Sequence, residues 1–348
     1  MVAILGALFW YVGVGSIYNA LLRIRVEYLL LAFLMYFCIN LLFTVRLRRV
    51  LSKNGVKTTF GKTLLAQYGG MLTSDVTPGR SGYILTPLYL RDQNVPTSKS
   101  LSSVLGIQTF EFLIKVIGGI GAVIYLVKYV PTRIWNQVFP SQIAGINVGL
   151  LIAAFGIGLM MTGAIILAAF TWSRRAISLF DRIAKSRFLK RFTGSLIGRL
   201  EEYKESGHST SKAIPEILVL TMACWIIKGF EWYFLGYALG ITQIPWIAYF
   251  LIHPLVTALA FVPITPAGIG VQEFGIIGIF GLLAAALPGV PATVAQIAAF
   301  ALLARGLLIF EDLAGVPQIV RSTSLIFSHK KPDEQLQPKS ESPSLNPV

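Results

Sequence analysis

Apolar runs of about 20 residues, each long enough to cross ~30 Å of hydrocarbon, recur along the chain. They are Val2–Leu22, Tyr28–Val45, Ser100–Val127, Ile143–Trp172, Ile214–Leu239 and Thr293–Phe310. Inside a bilayer a backbone N–H or C=O finds no water, so a run of this length must bond to itself as a helix. Composition agrees: 55% of residues are hydrophobic and 13% charged, against roughly 25% charged in an average soluble domain. That excludes a soluble enzyme and a disordered regulator. No polar linker divides the chain, so one membrane domain over 1–320 is expected. The polar, Pro/Ser-rich end, 321–348, is expected to be disordered. No Lys or Arg precedes Val2–Leu22 and no small-residue cleavage site follows it, so it reads as a retained helix. Cys38 and Cys224 both lie inside apolar runs, which argues against a disulfide framework or a metal site.

Two apolar stretches are interrupted. Thr63–Leu90 contains Asp75, Pro78, Gly79, Arg80, Gly82 and Pro87, and Ile244–Leu287 contains Pro263, Pro266, Gly268 and Gly270. Proline removes a backbone donor and glycine frees the dihedrals, so neither helix runs through. The breaks share a pattern: Thr77-Pro78-Gly79-Arg80-Ser81-Gly82 matches Thr265-Pro266-Ala267-Gly268-Ile269-Gly270 in its Thr, Pro and final Gly. Each break sits between two full runs, so span, broken hairpin, span occurs twice.

Charge orients the crossings. Arg46, Arg48, Arg49, Lys53, Lys57 and Lys62 crowd one short stretch, and ten more basic residues lie between Arg174 and Lys212. The positive-inside rule places both loops, 46–62 and 173–212, in the cytoplasm. The first hairpin then enters and leaves from the cytoplasmic side and the second from outside, with the C-terminus cytoplasmic. Hairpins dipping from opposite faces make an inverted repeat, with halves at about 27–130 and 213–315, a common transporter plan. The expected fold is thus an all-α polytopic membrane protein of about six full transmembrane helices plus two Pro/Gly-broken re-entrant hairpins. Arg23 and Arg25 fall outside in this scheme, against the rule. Within 173–212, Ile177, Phe180, Ala184 and Phe188 recur at helical spacing among basic residues. That pattern suits a helix lying in the headgroup plane or, equally, one packed on the domain. The net charge of +14 is assigned to anionic lipid headgroups and not to nucleic acid.

Ionisable groups at membrane depth are costly, so each is a candidate site. Glu111 and Lys115 are four apart, and Lys228 and Glu231 three apart, so each pair shares a helix face and can neutralise itself. Arg80 and Glu273 belong to the breaks, where helix ends expose unpaired N–H groups that favour anions. Arg80 and Arg305, with Thr77, Gly79, Thr265, Gly268 and Gly270, form a candidate phosphate cradle, since arginine binds phosphate through two parallel hydrogen bonds. Glu273, Glu111, Asp75 and Glu231 are the candidates for ion or proton coupling, with Lys115 and Lys228 as basic partners. His253 and the aromatic stretch Trp225–Tyr237 read as packing. No metal-ligand spacing, nucleotide-binding glycine loop or Ser/His/Asp grouping is present in the sequence. No catalytic residue, cofactor or metal is therefore assigned.

The run Thr77–Gly82, then Ser100-Leu-Ser-Ser-Val104, then Pro263-Ile-Thr-Pro-Ala-Gly-Ile-Gly-Val-Gln-Glu273, then Leu303-Ala-Arg305 resembles the lysylphosphatidylglycerol synthase transmembrane-region family of flippase-like membrane proteins. The family's proline, glycine-rich turn and glutamate map to Pro263, Pro266, Gly268, Gly270 and Glu273. The chain departs from the family at Tyr83, where an acid usually follows the glycine, and near Ile107–Glu111, where only Glu111 is kept of an acidic signature. No soluble aminoacyl-transfer domain follows the resemblance, which implies lipid translocation without aminoacylation. The expectation is a cell-membrane flippase or transporter for an anionic lipid headgroup, phospholipid or polyprenyl-phosphate-linked; a homodimer stays open. The rivals are a membrane-embedded headgroup transferase or phosphatase, and a non-transporting scaffold for a lipid-processing enzyme.

Overall fold

A computed structural model describes Gly6, Trp10 and residues 12–143, 145–173, 175, 200–261 and 265–327. The longer helices are α1 (Val14–Leu22), α2 (Val26–Lys53), α3 (Phe60–Val76), α4 (Thr97–Tyr129), α5 (Val148–Trp172), α6 (Leu200–Ser211), α7 (Ile214–Ala238), α8 (Trp246–Ala260), α9 (Val271–Ala286), α10 (Val294–Asp312) and α11 (Val316–Phe327). Short helical turns cover Ser81–Leu85, Thr86–Tyr89, Arg91–Gln93, Thr132–Val138 and Leu313–Gly315. Among the described residues the sheet content is one antiparallel pair, Gln142–Ile143 with Ile146–Asn147. Among the described residues five helices are long and apolar enough to cross a membrane: α2, α4, α5, α7 and the one that starts at Val294. The architecture is an all-α polytopic membrane fold. Residues 2–5, 7–9 and 11 of the expected first span, Val2–Leu22, lie outside the described residues, as do Ile177–Phe188 and the tail from residue 328.

Both interrupted stretches break at the expected places. α3 stops at Val76 because Thr77, extended at φ −104° and ψ 146°, precedes Pro78, whose ring disfavours a helical neighbour. The chain then turns through left-handed Gly79 and Arg80 (φ 60° and 54°). α8 ends at Ala260, and the second turn uses left-handed Ala267 and Gly268 (φ 47° and 69°). A Cβ on Gly268 would lie 2.4 Å from Ala260 Cα, so the turn requires glycine there.

The expected boundary at Val45 is a difference. α2 continues to Lys53, because Leu47, Val50 and Leu51 keep the helical spacing and are buried in a core with Val104, Ile107 and Ile217. Arg46 is therefore a helix residue, 1% exposed, and not a loop charge. A larger core gathers α7, α8, α9 and α10 around Trp232, Tyr249, Phe280 and Phe300, with the last two rings 5.1 Å apart. Outer faces are apolar too: Ile117, Ile124, Phe155, Ile165 and Val219 are exposed, as lipid-facing positions should be. The described part of the 173–212 segment, α6, packs on the domain. Trp172 Nε1 donates to the Gly207 carbonyl at 3.0 Å, and Ser98 donates to Glu202 at 2.5 Å.

Candidate functional site

The two breaks meet. Pro78 and Pro266 pair in an antiparallel bridge, and Ala267 donates its N–H to the Thr77 carbonyl at 2.9 Å. Residues at matching motif positions adopt the same left-handed conformation, Gly79 with Ala267 and Arg80 with Gly268.

Beside this junction lies a partly open pocket, lined by side chains of α2, α3, α4, α7, α8, α9 and α10 and by Arg80. Four cationic heads face it (Arg80, Lys115, Lys228 and Arg305), with two carboxylates, Glu111 and Glu273. Its remaining wall is mainly apolar and aromatic and includes Tyr36, Trp225, Trp232 and His253. His253 stacks edge-on against Trp232, ring centroids 4.8 Å apart, as a packing histidine does.

Each cation is held by a carboxylate. Arg305 Nε donates to Glu273 at 2.9 Å, and its Nη2 to Gln272 at 2.7 Å and the Ala267 carbonyl at 3.3 Å. Glu273 is the third residue of α9 and also accepts the N–H of Gly270 at 2.6 Å. It thus satisfies a donor that the helix start leaves open. Lys115 donates to Glu111 at 2.8 Å. The other Glu111 oxygen takes Arg46 Nη2 at 3.1 Å, while Arg46 Nη1 donates to Thr221 at 2.8 Å. Lys228 Nζ bonds both Glu231 oxygens, at 2.7 and 2.6 Å, and sits 4.6 Å above the Tyr36 ring. Arg80 pairs with Asp75. Burial of this kind is tolerable only because each charge has a partner. Arg80 Nε and Arg305 Nη1 are nevertheless buried without a hydrogen-bond partner, which leaves donor capacity for an anion.

The structure thus brings together Arg80, Arg305, Glu273, Glu111, Lys115 and Lys228 at one cavity, with Asp75 and Glu231 one layer behind, each against its cation. It does not bring Thr77, Gly79, Thr265, Gly268 or Gly270 to the cavity wall. They build the turns: Thr77 Oγ1 donates to the Thr73 carbonyl at 2.9 Å and accepts the Gly82 N–H at 2.7 Å. Sequence reasoning missed Arg46, whose signal was the apolar spacing continuing through Leu47 and Leu51. It also missed Gln272, one residue from an assigned acid. Asp312, like Glu311, carries the signal of an ionisable group at membrane depth, but nothing local signals its partner Tyr36, which bonds it across the fold at 2.9 Å. Among the described residues no group of three or more His, Cys, Asp or Glu is placed to hold a metal ion.

The chain is similar to curated membrane proteins over most of its length. A UPF0104 membrane protein of Pyrococcus horikoshii is 21% identical over 286 residues, spanning 76% of this chain and 80% of that protein. A UPF0104 membrane protein of Methanothermobacter thermautotrophicus is 22% identical over 285 residues, spanning 78% and 79%. The family model described as lysylphosphatidylglycerol synthase TM region matches residues 1–310, the stretch that contains both breaks and every residue of the cavity. The chain is a multi-pass membrane protein and belongs to the lysylphosphatidylglycerol synthase TM region family.

Proposed function

We propose that this protein is a lipid flippase that carries an anionic headgroup, phospholipid or polyprenyl-phosphate-linked, between leaflets. One observation carries the reading: a pocket at the junction of two broken helices is lined by four cationic side chains, each paired with a carboxylate, and two of them, Arg80 and Arg305, keep a buried N–H without a partner. An arginine at the bilayer centre costs about 2.5–3.5 kcal/mol on insertion scales, so a cluster of this kind needs a use. In this reading Arg80 and Arg305 hold the phosphate through the N–H groups that lack partners. Lys115 and Lys228 add charge, and Glu273 exchanges partners during the cycle. The apolar wall admits the first carbons of the lipid tail. The matching turns at Thr77–Gly82 and Thr265–Gly270 support an inverted repeat, with halves at about 27–130 and 213–315 of a domain over 1–320. The basic residues from Arg48 to Lys62, which span the end of α2 and the start of α3, and those of 173–212 favour a cell-membrane protein with both stretches and the C-terminus cytoplasmic.

Headgroup accessibility in reconstituted vesicles tests this. Movement of labelled anionic lipid without chemical change is the expected result. A chemically altered headgroup would turn the assignment to a transferase or phosphatase, and no movement would leave a scaffold.

A further inference from the structure

A second recess lies across α8 and α9 from the ionic pocket. Along α8, Pro254 and Thr257 face that pocket, while Leu255 and Leu259 face the recess. Along α9, Glu273 and Ile276 face the pocket, while Phe274, Gly275 and Ile279 face the recess. The rest of its wall comes from the end of α4, the segment around Thr132–Val138 and the start of α5.

Phe139 closes one side of the recess by bridging α5 and α9. A Cβ on Gly149 would lie 2.7 Å from its ring, and one on Gly278 3.0 Å, so two glycines let the ring lie flat on both backbones. Asn147 Nδ2 holds the Phe139 carbonyl at 2.8 Å, and Trp135 stands beside the ring with centroids 6.2 Å apart. Leu259 lies against Gly275 more closely than any Cβ would allow. Leu255 and Leu259 are buried in the wall, whereas Ile152 and Phe274 are exposed. Ile152 is one helical turn from exposed Phe155 on α5, so the mouth opens on the apolar face turned to lipid.

Among the described residues, those lining the recess carry no charge and no side-chain hydroxyl or amide. Water does not settle in such a space, because an ordered water needs about two to four polar partners. Left empty, the wall would lose dispersion contacts on one side. Inside a bilayer the medium at the mouth is hydrocarbon, as apolar as the wall itself, so contact and not escape from water decides occupancy. A methylene chain supplies that contact.

We propose that this recess binds a hydrocarbon chain of a membrane lipid, held by its tail alone and apart from the ionic pocket. The proposal goes beyond the flippase reading and does not depend on it. The seated chain packs on the reverse of α8 and α9 and so backs the wall that carries Glu273.

The test uses the full chain in phosphatidylcholine nanodiscs doped with a phosphatidylcholine that carries a diazirine on one acyl chain. Its headgroup has no net charge, so the result does not turn on Arg80 or Arg305. After illumination, adducts are mapped by peptide mass spectrometry. The expected result is labelling of buried Ala153, Leu255 and Leu259 as well as exposed Ile165, with none at Phe280 or Phe300 of the core. Ala153→Leu puts a larger side chain into the recess and should abolish the adducts there while Ile165 stays labelled. Ile152→Trp, at the mouth, gives the same reading if Ala153→Leu does not fold. Labelling confined to exposed faces overturns the site, and so do recess adducts that survive unchanged in the folded variant. An unlabelled recess in a chain that is dimeric in the nanodisc gives the space to a second copy and equally overturns it.

Discussion

Arg305 reaches Glu273 at 2.9 Å from a different helix, and Glu273 in turn takes the N–H of Gly270 at the start of α9. One carboxylate thus ties the second helix break to α10 and closes a wall of the cavity. The two ends of this link can be separated by mutation.

Glu273→Gln keeps an acceptor for the Gly270 N–H but removes the charge facing Arg305. The variant should fold and lose lipid movement in vesicles. A Gln variant that moves lipid at the normal rate would take Glu273 out of the mechanism. Arg305→Ala leaves Glu273 buried and uncompensated, so it should cost about 3–5 kcal/mol in thermal or denaturant unfolding.

Arg46 bridges Glu111 on α4 and Thr221 on α7 through separate nitrogens of one planar head. Arg46→Lys offers a single ammonium in place of that fork and should not restore what Arg46→Ala loses, again about 3–5 kcal/mol. Lys53→Ala breaks the Lys53–Glu216 pair, whose side chains are 43% and 35% exposed. It should leave the unfolding transition close to that of the unaltered chain. Equal losses at the two positions would contradict the burial of Arg46.

Gly268→Ala places a methyl against Ala260 in a left-handed turn and should destabilise by about 1–3 kcal/mol. Gly281, inside α9 with open space around its Cα, is the comparison. Gly281→Ala should be neutral or stabilise by up to ~1 kcal/mol through helix propensity. Melting temperatures of the two variants decide it.

Asn94 and Thr242 are exposed beside the two breaks, and the inverted arrangement puts them on opposite sides of the membrane. Single cysteines at these positions, with Cys38 and Cys224 replaced by Ser, should react with an impermeant thiol reagent from opposite faces. Labelling from one face would end the inversion.

Much of this fold is legible in the sequence, because its strongest determinants are local. A 20-residue apolar run has one solution in hydrocarbon, and Pro78 and Pro266 stop a helix wherever they stand. The pairs Glu111–Lys115 and Lys228–Glu231 follow from helical spacing alone, and both form. What stays hidden depends on pairing between distant segments. Arg80 has a sequence neighbour, Asp75, that claims its charge, and nothing in the spacing separates that pairing from a free phosphate ligand. Tyr36 and Asp312 lie at nearly opposite ends of the chain, so only packing of α2 against α10 reveals them. Arg46 opens a run of charges that reads as loop, but the burial periodicity of Leu47, Val50 and Leu51 carries the helix through it. Thr77 sits beside the right feature, but its hydroxyl is spent on the Thr73 carbonyl and the Gly82 N–H of the turn.

The 33 residues of α4 make a rod of about 50 Å at 1.5 Å per residue, well beyond the ~30 Å of a bilayer's hydrocarbon. Tilting through some 20° recovers only a few ångströms of that excess. One end must therefore stand clear of the lipid tails, and its serine-rich beginning identifies which. Ser98, Ser100, Ser102 and Ser103 are all buried, with Ser98 bonded to Glu202 and Ser103 accepting from Asn54. This overhang forms a polar footing on which α6 rests. A thicker bilayer would draw that footing toward the tails, so host-membrane thickness becomes a direct lever on how firmly α6 is seated.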